Sequence, residues 1–263
     1  MASPNLEKMK EQLAALKDNR SINSSGGPSV FWKLTPGNHD IRVLLYDDDQ
    51  FSREFHWHYN VNGNRYLCAK KSYGKECPVC DLASEIWNQY VATEQAGNPD
   101  DSLKETAKEL FSSKRYYLPV LVRDLEDEGP KLYSCGVRAL EQILSIALDD
   151  ESKDMFDPKK GFDLKVSYSL ANPNDRRSAS TTINRRVKTS PLFSEGPVND
   201  ETVEELRAEI TGPEDVFELP DIEAIRADLD SVFGAASDDA GTAKYAAEEN
   251  DVTAAFAKLQ ASD

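Results

Sequence analysis

His56-Trp57-His58-Tyr59, Asn62-Gly63, Cys68 and Cys77-Pro78-Val79-Cys80 follow one another closely, and the rest of the chain is read from this run. Three of the four cysteines and two of the three histidines lie in it. A Cys-x2-Cys knuckle puts two thiolates on one tight turn, where both reach the same ion. A third cysteine and one imidazole complete a closed tetrahedral Cys3His set, the usual design of a structural zinc centre. Around and beyond Cys80, Val79, Leu82, Ala83, Ile86, Trp87 and Tyr90 recur at helical spacing. That spacing predicts a helix starting at the knuckle with its apolar face inward.

One structural Zn2+ is therefore expected, held by Cys68, Cys77, Cys80 and a histidine. His56 and His58 alternate with Phe55, Trp57 and Tyr59, the pattern of a strand with imidazoles on one face and aromatics on the other. Asn62-Gly63 reads as a hairpin turn that brings Cys68 back alongside. His58, nearer the turn, is the favoured ligand, with His56 as the alternative. A deaminase-type catalytic zinc fits poorly. Those sites pair Pro-Cys-x-x-Cys with an upstream His-x-Glu. Here the upstream residues are His56-Trp57-His58, and Pro78 lies inside the knuckle. Four protein ligands also leave no position for water.

The chain has 263 residues, enough for one good core with extra segments, and only 39% are hydrophobic. A sizeable share is expected to be solvated or disordered. No apolar run approaches a membrane span, the N-terminus does not read as a signal peptide, and cysteines committed to a metal fit a reducing cytosol. The net charge of −16 at first argues against nucleic acid. Its distribution reverses that argument. From Glu195 onward there are 19 acidic and 4 basic residues, a net of −15, which leaves −1 on residues 1–194. A near-neutral body can carry a basic face for which an acidic tail competes.

In chain order, Leu6, Met9, Leu13 and Leu16 mark a short amphipathic helix that needs a partner surface, on its own domain or on a neighbour. Ser21–Ser29 reads as a linker, and 30–34 and 39–46 as strands around Pro36-Gly37-Asn38. A helix is expected from about Leu103 to Phe111. Ser113-Lys114-Arg115-Tyr116-Tyr117 then opens a basic, aromatic strand. Single-stranded DNA is held by cations on phosphates and by rings under unstacked bases, each stack contributing about 1–3 kcal/mol. Alternation puts Tyr116 and Tyr117 on opposite faces, so one is expected to meet DNA and the other to fill the core. Further on come a strand at Leu132–Cys135, a helix carrying Leu140, Ile143, Leu144 and Ala147, and a half-buried strand at Gly161–Leu170. Residues 172–184 read as a polar loop bearing Arg176 and Arg177, followed by Arg185 and Arg186; these cations are candidate phosphate contacts. Short acidic helices are expected near 203–206 and 221–225, and disorder from Gly234.

Met9-Lys10-Glu11-Gln12-Leu13-Ala14, Phe31-Trp32-Lys33-Leu34, His58, Asn62-Gly63, Cys68, the knuckle, Ser113–Tyr117, Val120–Asp124 and Tyr133-Ser134-Cys135-Gly136 occur in an order that resembles the T-even bacteriophage single-stranded DNA-binding proteins. The likeness covers most of the chain, is loose beyond Gly136, and is most specific at the knuckle. It implies a mainly β protein with some α: an OB-fold barrel core (residues 21–195) with an inserted zinc subdomain (about 54–95). It implies an N-terminal helical arm (1–20) for cooperativity and a disordered acidic C-terminal region (196–263) for partners. The arm departs from the family, whose arm is strongly basic, in carrying Glu7 and Glu11. By the resemblance Tyr133 is a stacking ring.

The expected function is cooperative, largely sequence-independent binding of single-stranded DNA in phage replication, recombination and repair. The expected partners are single-stranded DNA, further copies of the chain, and, through the acidic tail, the phage polymerase, helicase or helicase loader and recombinase mediator. The site of action would be the cytoplasm of the infected host. No nucleophile–base pair, phosphate-binding Gly loop or open metal site is present, so no enzymatic activity is expected. The alternative reading is a zinc-stabilised interaction adaptor acting through its acidic tail.

Overall fold

The computed structural model describes residues 29–172 and 178–233. The expected N-terminal helix, the tail from Gly234, Arg176 and Arg177 lie outside the described residues.

Seven strands form one sheet in which every strand pair is antiparallel. They are β1 (Gly37–Val43), β2 (Arg53–Val61), β3 (Asn64–Leu67), β4 (Ser113–Val122), β5 (Lys131–Cys135), β6 (Phe162–Leu170) and β7 (Ala179–Thr189). The sheet is organised around β4. Tyr117 lies opposite both Arg53 and Ser134, and Val120 opposite both Val43 and Lys131. So β1 and β2 lie end to end along one edge of β4, with β5 on the other.

A proline in a central strand needs a reason, because it cannot donate to the ladder. Pro119 falls between the stretches of β4 paired to β1 and to β2, where residues 44–52 leave the sheet. Its carbonyl accepts from the Leu44 N–H at 2.9 Å, and no strand residue asks for its missing donor.

Seven helices accompany the described sheet: α1 (Ala69–Tyr73), α2 (Pro78–Gln95), α3 (Asp101–Leu110), α4 (Val137–Ala147), α5 (Asp200–Ala208), α6 (Pro213–Val216) and α7 (Ile222–Phe233). Helix α4 buries Ala139, Leu140 and Ile143 against Ile41, Val120, Leu164 and their neighbours, which forms the main core. A second core joins α1, α2 and α3 to the β2–β3 hairpin. The expected stripe on α2 is buried at Val79, Leu82, Ala83, Ile86 and Tyr90, with Trp87 half-buried.

Two expectations change. Residues 30–34 make only a single parallel bridge, Phe31 to Leu132, instead of a strand. The polar segment read as a loop through 184 becomes β7 from Ala179, so Arg185 and Arg186 sit on a strand. Only Ile183 of β7 is buried. A strand held by backbone pairing to β6 and by Gln142 of α4, with polar residues on both faces, carries no alternation for a sequence reading to detect.

The compositional break at residue 195 does not end the packed structure. Leu206 of α5 joins Leu44, Leu121 and Leu192. Phe217 enters an aromatic cluster with Phe31, Phe55, Trp57 and Tyr117, and Ile225 and Leu229 of α7 enter the core around the cysteines.

An ion network ties β1 and β6 to the segment that follows β7. Asp163 accepts from Arg42 Nε at 3.0 Å and from Arg123 Nε and Nη2 at 2.9 and 2.7 Å. Arg42 also donates to the Ser190 carbonyl, and Arg123 to Glu126 and to the carbonyls of Pro191 and Leu192.

Candidate metal centre and nucleic-acid interface

Each donor of the knuckle is delivered by a local device. Asn62 and Gly63 both take positive φ, 50° and 75°, the conformation of a tight hairpin turn, and β3 returns beside β2. Cys68 ends that return as the N-cap of α1, its sulfur accepting from the Lys71 N–H. Cys77 is the N-cap of α2, Pro78 opens the helix, and Cys80 lies in its first turn. Proline inside the knuckle is thus a helix-start residue: its fixed φ suits the first turn and its missing N–H is one the helix leaves unpaired. The positive end of the helix dipole also favours thiolates there.

The side chains of His58, Cys68, Cys77 and Cys80 are all buried, and their ligand atoms lie within 4.8 Å of one another. Cys68 Sγ is 3.3 Å from Cys80 Sγ, and His58 Nε2 is 3.4 and 3.5 Å from the sulfurs of Cys77 and Cys80. A zinc tetrahedron with ordinary Zn–S and Zn–N lengths has edges of about 3.5–3.8 Å, so the donor set is already near the required size. His58 Nδ1 donates to the Leu110 carbonyl at 2.7 Å, which orients the ring and leaves Nε2 facing the sulfurs. His56 points elsewhere: its Nε2 is 2.8 Å from Glu54 and its Nδ1 3.4 Å from Ser112 Oγ. The structure therefore brings His58, and not His56, to the three cysteines.

The protonation of the cluster follows from crowding. Hydrogen bonds from Cys77 and Cys80 hold the Cys68 thiol far below its usual range, and bonds to Cys68 and Cys77 drive Cys80 upward. Burial disfavours charge on His58, but bonds to Cys68 and Cys77 and to the Leu110 carbonyl outweigh it and raise its pKa to about 9. Three sulfurs this close cannot all be thiolate without a cation among them. The residues present fit a zinc ion.

The other candidate residues are dispersed. Lys114 and Tyr116 share one face of β4, and both reach Glu54 on β2: Lys114 Nζ at 3.1 Å and Tyr116 Oη at 2.8 Å. Arg115, on the opposite face, donates to Ser134. Tyr117 is buried in the aromatic cluster, its ring 5.0 Å from that of Phe217. Tyr133 is 2% exposed with its ring 5.2 Å from Trp32, so in this conformation it is a core residue closed to a base. Arg185 stacks on Phe162 and donates to the Glu151 carbonyl, and Arg186 pairs with Asp40.

Sequence reasoning missed two acidic residues. Glu54 was hidden because two of its three partners, Lys114 and Tyr116, lie on a strand about sixty residues away. Asp228 of α7 accepts from Asn62, Asn64 and Tyr66 at 3.0, 2.6 and 2.5 Å, clasping the hairpin, and nothing in the linear sequence signals that contact.

Among the described residues, no helix is long and apolar enough to cross a membrane. A family model described as gp32 DNA binding protein like matches residues 35–215, which includes the whole Cys3His cluster, β4 and β5. No curated protein matches the chain.

Proposed function

Because the chain belongs to the gp32 DNA binding protein like family, we propose that it binds single-stranded DNA, cooperatively and with little regard to sequence, in phage replication, recombination and repair. The observation that carries this reading onto particular residues is the opening of β4. Its exposed Lys114 and half-buried Tyr116 share one face of the strand at the centre of the sheet. That face offers a cation for phosphate and a ring for a base, the two elements single strands require. Arg115, Arg185 and Arg186, with Arg176 and Arg177, are read as further phosphate contacts. In this reading Tyr117 and Tyr133 are core rings that hold the sheet. The sheet is read as an OB-type platform, residues 1–20 as the arm that links neighbours, and the acidic end of the chain as the docking segment for replication and recombination proteins in the host cytoplasm.

His58, Cys68, Cys77 and Cys80 are proposed to hold one zinc ion. When bound, the metal supplies a crosslink and no reaction chemistry, because four protein ligands close its shell. The chain's own part is to fix the ligands: the Leu110 carbonyl orients the His58 ring, and the start of α2 presents two sulfurs together.

The test is a titration of single-stranded and duplex oligonucleotides, followed by intrinsic tryptophan and tyrosine fluorescence at several salt concentrations. Preferential quenching by single strands, with affinity falling steeply as salt rises, is expected. No binding even at low salt, with or without residues 234–263, would leave the adaptor as the better account.

A further inference from the structure

Glu54 stands at the centre of a small site of unusual composition. Its Oε1 lies 2.8 Å from His56 Nε2 and 3.1 Å from Lys114 Nζ, and its Oε2 accepts from Tyr116 Oη at 2.8 Å. The strand register makes this arrangement obligatory: Glu54 lies opposite Tyr116 and His56 opposite Lys114, so all four side chains share one face of the β2–β4 pair. Burial disfavours the charge on Glu54, yet the bonds from Tyr116, His56 and Lys114 outweigh it and keep the carboxyl ionised below its usual range. Three donors therefore converge on one anionic position, and that position remains open to solvent, the Glu54 side chain being 39% exposed.

A carboxylate and a phosphodiester make the same demand on such donors: an anionic oxygen pair accepting two or three hydrogen bonds. We propose that Glu54 is a built-in competitor for the DNA phosphate. It fills the anion position of His56, Lys114 and Tyr116 in the free protein and must swing out before a phosphate can enter. The proposal rests on the single-strand-binding reading. It gives Glu54 a role in setting affinity: the ion pair neutralises Lys114 until DNA displaces the carboxylate.

The test uses the full chain carrying Glu54→Gln, titrated with an oligo(dT) single strand across a salt series. Removing one exposed pair of this kind is expected to tighten binding about two- to fivefold. The salt slope should stay close to that of wild type, because Lys114 meets the same phosphate in both complexes once Glu54 has moved out. Lys114→Gln should cost more affinity in the Glu54→Gln background than in wild type, because only there is Lys114 free to engage phosphate at once. A thermal melt checks the fold. If Glu54→Gln melts early, Glu54→Asp replaces it, since the shorter side chain draws the carboxylate back from its donors, and the same tightening is expected. Weaker binding by the variant would make Glu54 a positioning residue for Lys114 and Tyr116 and overturn the proposal. Unchanged affinity would overturn it too. If wild type itself shows no salt-dependent binding, the single-strand reading fails and takes this proposal with it. Wild-type binding without a gain in the variant removes the proposal alone.

Discussion

Asp163 ties together two guanidinium groups, that of buried Arg42 and that of half-buried Arg123. Burial opposes its ionisation, but Arg123 and Arg42 outweigh that and hold its pKa below the usual carboxylate range. A carboxylate lowered on folding contributes stability that is complete above its unfolded pKa, near 3.9, and is lost as pH falls through the folded value. The urea midpoint of wild type is therefore expected to fall as pH drops below about 4. In Asp163→Asn that pH-dependent loss should be reduced, while stability at pH 7 falls by about 3–5 kcal/mol from the buried Arg42 charge left without a carboxylate. Gly161 supports the same network through its lack of a side chain. A Cβ there would meet Asp157 O at 2.5 Å and Arg42 Nη1 and Met155 O at 2.8 Å. Two of those three are backbone atoms that cannot step aside. Gly161→Ala is expected to lose about 1–3 kcal/mol in equilibrium unfolding. At the metal centre, His58→Ala should purify with little zinc by elemental analysis, whereas His56→Ala should retain close to one equivalent. The reverse result would move the ligand to His56.

At the scale of elements, the α2 stripe and the Asn-Gly turn were legible because each is a local pattern: helical periodicity in one case, positive φ at two adjacent positions in the other. The Cys-Pro-x-Cys spacing similarly announced a helix start with two sulfurs on it. The choice between His56 and His58 was not legible. Both lie on the same strand face, and only the Leu110 carbonyl at the end of α3 and Glu54 on the neighbouring turn of the strand separate them. Nor was β7 legible, since its polar sequence is held by pairing to β6 and not by burial. A short acidic helix was expected near 221–225, but the length of α7, Ile222–Phe233, and its packing were not legible. Its composition is acidic, yet Ile225 and Leu229 are each 1% exposed in the core around the cysteines, and Asp228 accepts three bonds from the hairpin. An amphipathic helix whose apolar stripe has two residues gives a faint signal in sequence and a large one in packing. Leu229→Ala should cost about 2–5 kcal/mol. Because the cavity opens beside the cysteines, the variant should also release zinc to a chelator faster than wild type. An unchanged release rate would mean that α7 packs on this subdomain without supporting the metal.

For the whole molecule the governing quantity is the placement of charge. Of the 19 acidic residues from Glu195 onward, 13 lie at 195–230, with Arg207 and Arg226 the only basic residues among them. Helices α5 to α7 fold much of that acidity onto the body. Residues 234–263 carry six acidic residues and two lysines, a net of only −4. An acidic segment can imitate the DNA backbone and compete for a basic face, and this competition is most effective when the segment is tethered near its target. The tail is rooted directly after α7, whose Asp228 clasps the hairpin beside the metal centre, and β2 of that hairpin also carries Glu54. Deleting residues 234–263 is therefore expected to tighten single-stranded DNA binding severalfold at low salt and to weaken docking of replication partners. The gain should shrink as salt rises, because screening weakens a charged competitor over distances beyond about 10 Å at 0.1 M. It should also stay limited, since the acidity folded onto the body remains after the cut. Single-strand affinity unchanged by the deletion at every salt concentration would remove competition as the tail's role and leave partner docking as its only proposed use.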